Sequence, residues 1–168
     1  MKTSIFTMVM TGIVISTIQA FAQKVLPEIT VSAANYKYLN AVKPEEAAQP
    51  VNMLEQYVAA YDVKGAEFYE DEYENYFVSF YIPAGKILAA YDKDGNILHT
   101  AEKYTNVAVP NTISQAVAKK YPNWGISKDI YMVSYYEDGK VSKRIYKLLL
   151  ENNSKRMRVK LNDSGEFL

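Results

Sequence analysis

Tyr76-Phe77-Val78-Ser79-Phe80-Tyr81-Ile82, then Pro83-Ala84-Gly85, then Lys86-Ile87-Leu88-Ala89-Ala90-Tyr91 and Asp92-Lys93-Asp94-Gly95-Asn96, is the stretch that decides the fold. Successive side chains of a strand point to opposite faces. Tyr76, Val78, Phe80 and Ile82 therefore share one face, with Phe77, Ser79 and Tyr81 on the other. One strand later Ile87, Ala89 and Tyr91 share a face. The segments at 83–85 and 92–96 carry the Pro, Gly, Asp and Asn that tight turns require. Strand, turn, strand, turn in such short order implies antiparallel pairing.

The same grammar returns downstream. Tyr146, Leu148 and Leu150 pair with Met157, Val159 and Leu161 as a core face, which leaves Lys147, Arg156, Arg158 and Lys160 outward. Turns are expected at Glu137–Lys140, Asn152–Ser154 and Asn162–Gly165. Each strand set follows a short helical pattern. In Pro50–Tyr61 the residues Met53, Leu54, Tyr57, Val58 and Tyr61 recur at three and four positions, one helical face, and Pro50 suits a first turn. Ile113, Ala116, Val117 and Tyr121 repeat the pattern, and Pro122 stops it. Helices this short need a sheet to lie on. The expected class is α+β, with tandem helix-plus-antiparallel-sheet repeats, helices on one face of the sheet and the other face open.

Internal similarity supports a duplication. Lys37–Val42 resembles Lys103–Val109, and each precedes a Pro-initiated helical segment. Pro50–Tyr61 aligns with Pro110–Tyr121 at a shift of 60 residues, with Gly65 falling on Gly125. Tyr91–Leu98 matches Leu161–Leu168 at a shift of 70, and a longer turn around Glu137–Lys140 is expected to account for the difference. The resulting organisation is a leader at 1–22, a first repeat at 23–98 and a second at 99–168.

The Pro110–Pro122 segment with its Lys-Lys-Tyr-Pro end, two Tyr-rich or Val-rich strands, and a strand ending in an Asp-x-x-Gly-x-Leu hairpin together resemble the PepSY-like family, related to the β-lactamase-inhibitor-like proteins. The resemblance covers nearly all of 23–168 as two copies and is closer in the second, Val107–Leu168. It implies a short exported chain of the kind common in Bacteroidota, tandem helix-and-sheet repeats with a concave sheet face, and a role in binding or inhibiting other proteins. It brings no catalytic residues with it.

Lys2 followed by the uncharged stretch Thr3–Ile18 and by Ala20-Phe21-Ala22 has the outline of a signal peptide, with cleavage expected between Ala22 and Gln23. Thr11, Gly12, Ser16, Thr17 and Gln19 interrupt the stretch, which weakens the alternative of a membrane span of about 20 apolar residues. With no Cys in the chain, neither a lipid-bearing Cys nor a disulfide is available. A periplasmic or secreted protein without a membrane anchor after cleavage is expected. The chain has 19 basic and 19 acidic residues, and loss of Lys2 leaves a slight negative balance. That balance disfavours nucleic acid as a partner.

Catalytic chemistry finds little to stand on. His99 is the single His, so no His pair, no His- or Cys-based zinc site and no Cys nucleophile can be built. No phosphate-binding glycine loop or nucleophile elbow occurs. His99 is expected at a surface or strand edge. Asp92–Asn96 imitates the start of a calcium loop, but Lys103 stands where the closing Glu belongs, so a hairpin is expected instead. Glu67, Glu70, Asp71, Glu72 and Glu74 form an acidic run whose simplest reading is a solvated turn, with weak calcium binding or docking to a basic partner as the alternative. No cofactor or metal is expected. The expected function is that of an exported non-catalytic binding module, a protease or hydrolase inhibitor or an envelope accessory protein. The alternative is a structural or ligand-sequestering envelope protein with no single protein target. The candidate partner-binding residues are Phe77, Tyr81, Tyr136, Lys147, Arg156 and Arg158, because Tyr and Arg concentrate at interface hot spots and strand alternation sends these side chains to the open face.

Overall fold

The computed structural model describes residues 35–42, 46–137 and 143–168. The leader at 1–22 lies outside the described residues, as do positions 138–140 of the expected turn at 137–140. The elements are α1 (Tyr36–Val42), α2 (Gln49–Ala59), β1 (Asn75–Ile82), β2 (Gly85–Asp92), β3 (Ile97–Thr105), α3 (Asn111–Lys120), β4 (Gly125–Tyr136), β5 (Ile145–Asn152) and β6 (Lys155–Asn162). The strands form one antiparallel sheet in the order β1-β2-β3-β4-β5-β6. The class is α+β, and both halves of the chain contribute to the same sheet.

Strand alternation holds along most of the sheet and breaks at the register shifts near Ala90 in β2 and between Ile126 and Lys128 in β4. Tyr76, Phe80, Ile87, Ala89 and Tyr91 are buried, as are Tyr104, Tyr131, Tyr146, Leu148, Leu150 and Leu161. They form one cluster with Tyr38 and Val42 of α1, Leu54 and Val58 of α2, and Ile113 and Val117 of α3. The register sets Tyr146 opposite Leu161, Leu148 opposite Val159 and Leu150 opposite Met157. The other alternation set, which includes Phe77, Tyr81, Leu88 and Tyr136, is exposed. Among the described residues no helix is long and apolar enough to cross a membrane.

Three sequence expectations require correction. The face of α2 that packs inward is Val51, Leu54, Glu55, Val58 and Ala59, while Met53 and Tyr57 are exposed. The helix is rotated from its apolar stripe because Glu55 turns into a polar interior. Secondly, Lys37–Val42 falls in α1, whereas Lys103–Thr105 ends β3, so this sequence match is not a structural one. Thirdly, the extra length of the second half is not confined to a turn. Two strands, β1 and β2, lie between α2 and the turn at 92–96, whereas three, β4, β5 and β6, lie between α3 and the turn at 162–166. The first half has instead a strandless connection at 60–74 that carries the acidic run. Gly65 lies in that connection and Gly125 opens β4.

The match between Tyr91–Leu98 and Leu161–Leu168 is reproduced in geometry. Asp92 N donates to Asn96 O at 2.9 Å and Gly95 N to Asp92 O at 3.1 Å; Asn162 N donates to Glu166 O at 3.0 Å and Gly165 N to Asn162 O at 3.2 Å. Side-chain oxygens of Asp92 and Asn162 accept from the N–H of Asn96 and Glu166 in the same way. Gly95 and Gly165 have φ of 84° and 85°, a left-handed conformation that favours glycine.

Candidate binding face

The register places the exposed sheet residues in rows. Phe77, the buried Ala90, the half-buried His99 and Tyr136 form one row across β1–β4. Tyr81, Lys86, Lys103, Met132 and Ile145 form the next but one. Thr105, Ile130, Lys147 and Lys160 follow, then Lys128, Leu149 and Arg158. The last row ends in Glu151 opposite Arg156, which are ion-paired at 2.7 Å.

Two patches result, not one. Phe77 and Tyr81 stand on β1, while Arg156 and Arg158 stand on β6. Five strand spacings separate these edges, about 24 Å. Tyr136 lies between them and packs on His99 with ring centroids 4.4 Å apart. His99 is half-buried on the interior strand β3 and does not lie at a sheet edge. The sequence grouped these side chains by face alone. Strand order, which the sequence did not reveal, keeps them apart.

The basic patch has the more developed shape. Lys128, Lys147, Arg158 and Lys160 surround a groove of about 580 Å³, with Ile130 and Leu149 half-buried in its floor. Among the described residues the ion pairs are Lys64–Asp94, Lys93–Glu74, Arg144–Asp163 and Arg156–Glu151. None involves the four cations of the groove. Lys147 stands directly opposite Lys160, a like-charge juxtaposition that destabilises a sheet unless an anion relieves it. Lys128 was missed in the sequence because a register shift between Ile126 and Lys128 breaks the alternation of β4. Among the described residues, no group of three or more His, Asp or Glu side chains is arranged to hold a metal ion.

Beneath the opposite face lies a polar interior. Glu102 on β3 accepts hydrogen bonds from the Tyr38 hydroxyl at 2.8 Å, the Thr100 hydroxyl at 2.8 Å and the Tyr104 hydroxyl at 2.9 Å. Glu55 is 1% exposed, and no donor reaches its Oε1 among the described residues. Burial pushes the Glu55 carboxyl up to about 9, reinforced by the charge of Glu102 and opposed by Arg144. Glu102 is also raised by burial, against the hydrogen bonds it accepts and the same guanidinium. Arg144 donates to Ala41 O in α1 and pairs with Asp163 at 2.8 Å. This cluster is enclosed by α1, α2 and the sheet. Its arrangement fixes the position of helices.

Comparison with protein-family models, with curated proteins and with solved structures finds no match to this chain.

Proposed function

We propose that the chain is an exported, non-catalytic binding module of the PepSY-like kind. In this reading residues 23–98 and 99–168 are related halves, their helices form one layer on the sheet, and the uncovered face receives an acidic, partly apolar segment of an envelope or extracellular protein. The observation that carries the proposal is the groove over β4–β6, where Lys128, Lys147, Arg158 and Lys160 rim an apolar floor and make no ion pair among the described residues. An anionic segment would relieve the Lys147–Lys160 repulsion and cover Ile130 and Leu149. The matching geometry of the 92–96 and 162–166 turns supports the duplication. Inhibition of a hydrolase rests on the family resemblance alone.

The test is fluorescence anisotropy with a labelled extended peptide of alternating Glu and Leu. It should bind, and binding should weaken as salt screens the charges. The Lys147→Glu/Arg158→Glu variant should lose the peptide while its melting temperature stays close to that of the parent, because both side chains project from the sheet. Equal binding by parent and variant would place the site elsewhere.

A further inference from the structure

The two edges of the sheet are built differently. β6 carries Lys155, Arg156, Arg158 and Lys160, and the C-terminal residues pair along part of it: Phe167 bridges Leu161, and Leu168 N donates to Lys160 O at 2.9 Å. Charge and cover of this kind are how natural sheets prevent edge-to-edge pairing. β1 has neither. Its sequence, Asn75-Tyr76-Phe77-Val78-Ser79-Phe80-Tyr81-Ile82, contains no charge, Gly or Pro. It pairs with β2 over its full length without a bulge, and among the described residues no strand pairs with its outer side. Phe77 and Tyr81 are 71% and 70% exposed. Beside them α2 exposes Met53 and Tyr57, which with Phe80 and Ile82 line an apolar cleft of about 460 Å³ at the same edge.

We propose that this edge is an interface for a second copy of the chain, β1 pairing antiparallel with β1 about a two-fold axis at Ser79. The strand sets an exposed aromatic at equal distance on either side of that residue, with apolar side chains at the other mirrored positions. Val78 mirrors Phe80, Phe77 mirrors Tyr81, and Tyr76 mirrors Ile82, with the small Ser79 where two identical side chains must meet. A two-fold interface requires such self-complementarity. In this register Phe77 of each copy stands opposite Tyr81 of the other on one face, and Val78 opposite Phe80 on the other face. A slip of one residue would set side chains from opposite faces against each other.

Charge agrees with the pairing. Lys86 stands directly opposite Lys103 in its own sheet, and neither has an ion pair among the described residues. The Ser79 register brings the exposed turn ahead of β1, with Glu72, toward the partner's turn at 83–84, while Glu74 keeps its own ion pair with Lys93. The second copy thus supplies the missing strand and places an acidic turn on the same side of the sheet end as Lys86.

The experiment uses the chain as recovered from cells. Sedimentation equilibrium should show a dimer, and Ser79→Lys should be monomeric at concentrations where the parent is dimeric. Because the chain has no Cys, Ser79→Cys introduces one thiol per copy. Residues directly opposite in antiparallel strands lie about 5.5 Å apart, within disulfide reach. Mild oxidation should convert Ser79→Cys to a covalent dimer and leave Ser134→Cys, on the interior strand β4, monomeric. If Ser79→Lys fails to fold, Phe77→Lys/Tyr81→Lys, at two exposed positions, takes its place. A parent that stays monomeric and an unlinked Ser79→Cys would overturn the proposal. So would a monomer holding a foreign extended peptide on β1, which would assign the edge to strand addition by another protein.

Discussion

The interior around α1, α2 and β3 holds a polar cluster, and the interior of β5 and β6 is mostly aliphatic, with Tyr146 the exception. In the first region Tyr38, Thr100 and Tyr104 direct their hydroxyls at Glu102, with Glu55 beside them. In the second, Leu148, Leu150 and Leu161 pack with Ile113 and Val117. The difference shows two ways of holding a short helix. α3 is held by apolar contact, which is strong and not directional. α1 spans Tyr36–Val42, too short to persist alone, and is held by hydrogen bonds that permit one position: Tyr38 to Glu102, Asn35 to Ala59 O and Gly95 O, and Arg144 to Ala41 O. Directional bonds of this kind specify geometry more than they add stability.

The largest effect is expected in the aliphatic region. Leu148 is 1% exposed in the middle of β5. Leu148→Ala should cost about 2–5 kcal/mol, from lost burial and the cavity left behind. Chemical denaturation should show a lower midpoint with the slope unchanged. A cost below about 1 kcal/mol would mean that the second half collapses around the deletion and is packed more loosely than its burial indicates.

The polar region should show itself through pH. The ordinary value of a Glu carboxyl is near 4.5, and Glu55 is raised to about 9 in the fold. The folded chain therefore holds a proton there that the unfolded chain releases. The associated stability is fully present below about pH 4.5 and is lost as pH rises toward 9. The groups facing Glu55 are Glu102, which raises it further, and Arg144, which lowers it. Glu55→Gln should remove much of the decline in melting temperature between pH 5 and pH 8 while preserving stability at pH 5. An unchanged slope would assign the decline to Glu102 instead.

Much of the sheet was legible because alternation is local. Tyr76, Phe80, Tyr91, Leu148 and Leu161 declare their faces within a few residues of sequence. The packed face of α2 was not legible, since Glu55 lies inward beside Glu102 and Arg144 from distant parts of the chain, and a buried acid is the exception. The match of Lys37–Val42 to Lys103–Val109 misled for a related reason: tertiary surroundings make the same residue pattern a helix in one place and a strand end in the other. The candidate face suffered from strand order. Face membership of Phe77, Tyr81 and Arg158 could be read from alternation, but their separation across the sheet could not. Lys128 was hidden by a register shift.

The smallest expected effect compares the two turns that the halves share. Gly95 and Gly165 have nearly the same positive φ, so alanine at either should carry the strain of a left-handed L-residue, about 1 kcal/mol. Their surroundings differ. A Cβ at Gly95 would meet nothing within 4 Å, whereas one at Gly165 would lie 3.3 Å from Ala116 Cβ and 3.4 Å from Thr112 O in α3. The second turn is docked against its helix and the first is open. Gly165→Ala should therefore lower the melting temperature more than Gly95→Ala. Asn tolerates positive φ, so Gly95→Asn should recover most of the loss. Gly165→Asn should not, because its larger side chain must displace the turn from α3. Equal losses at both positions, or equal rescue by Asn, would show that the turn at 162–166 does not bear on α3 in solution.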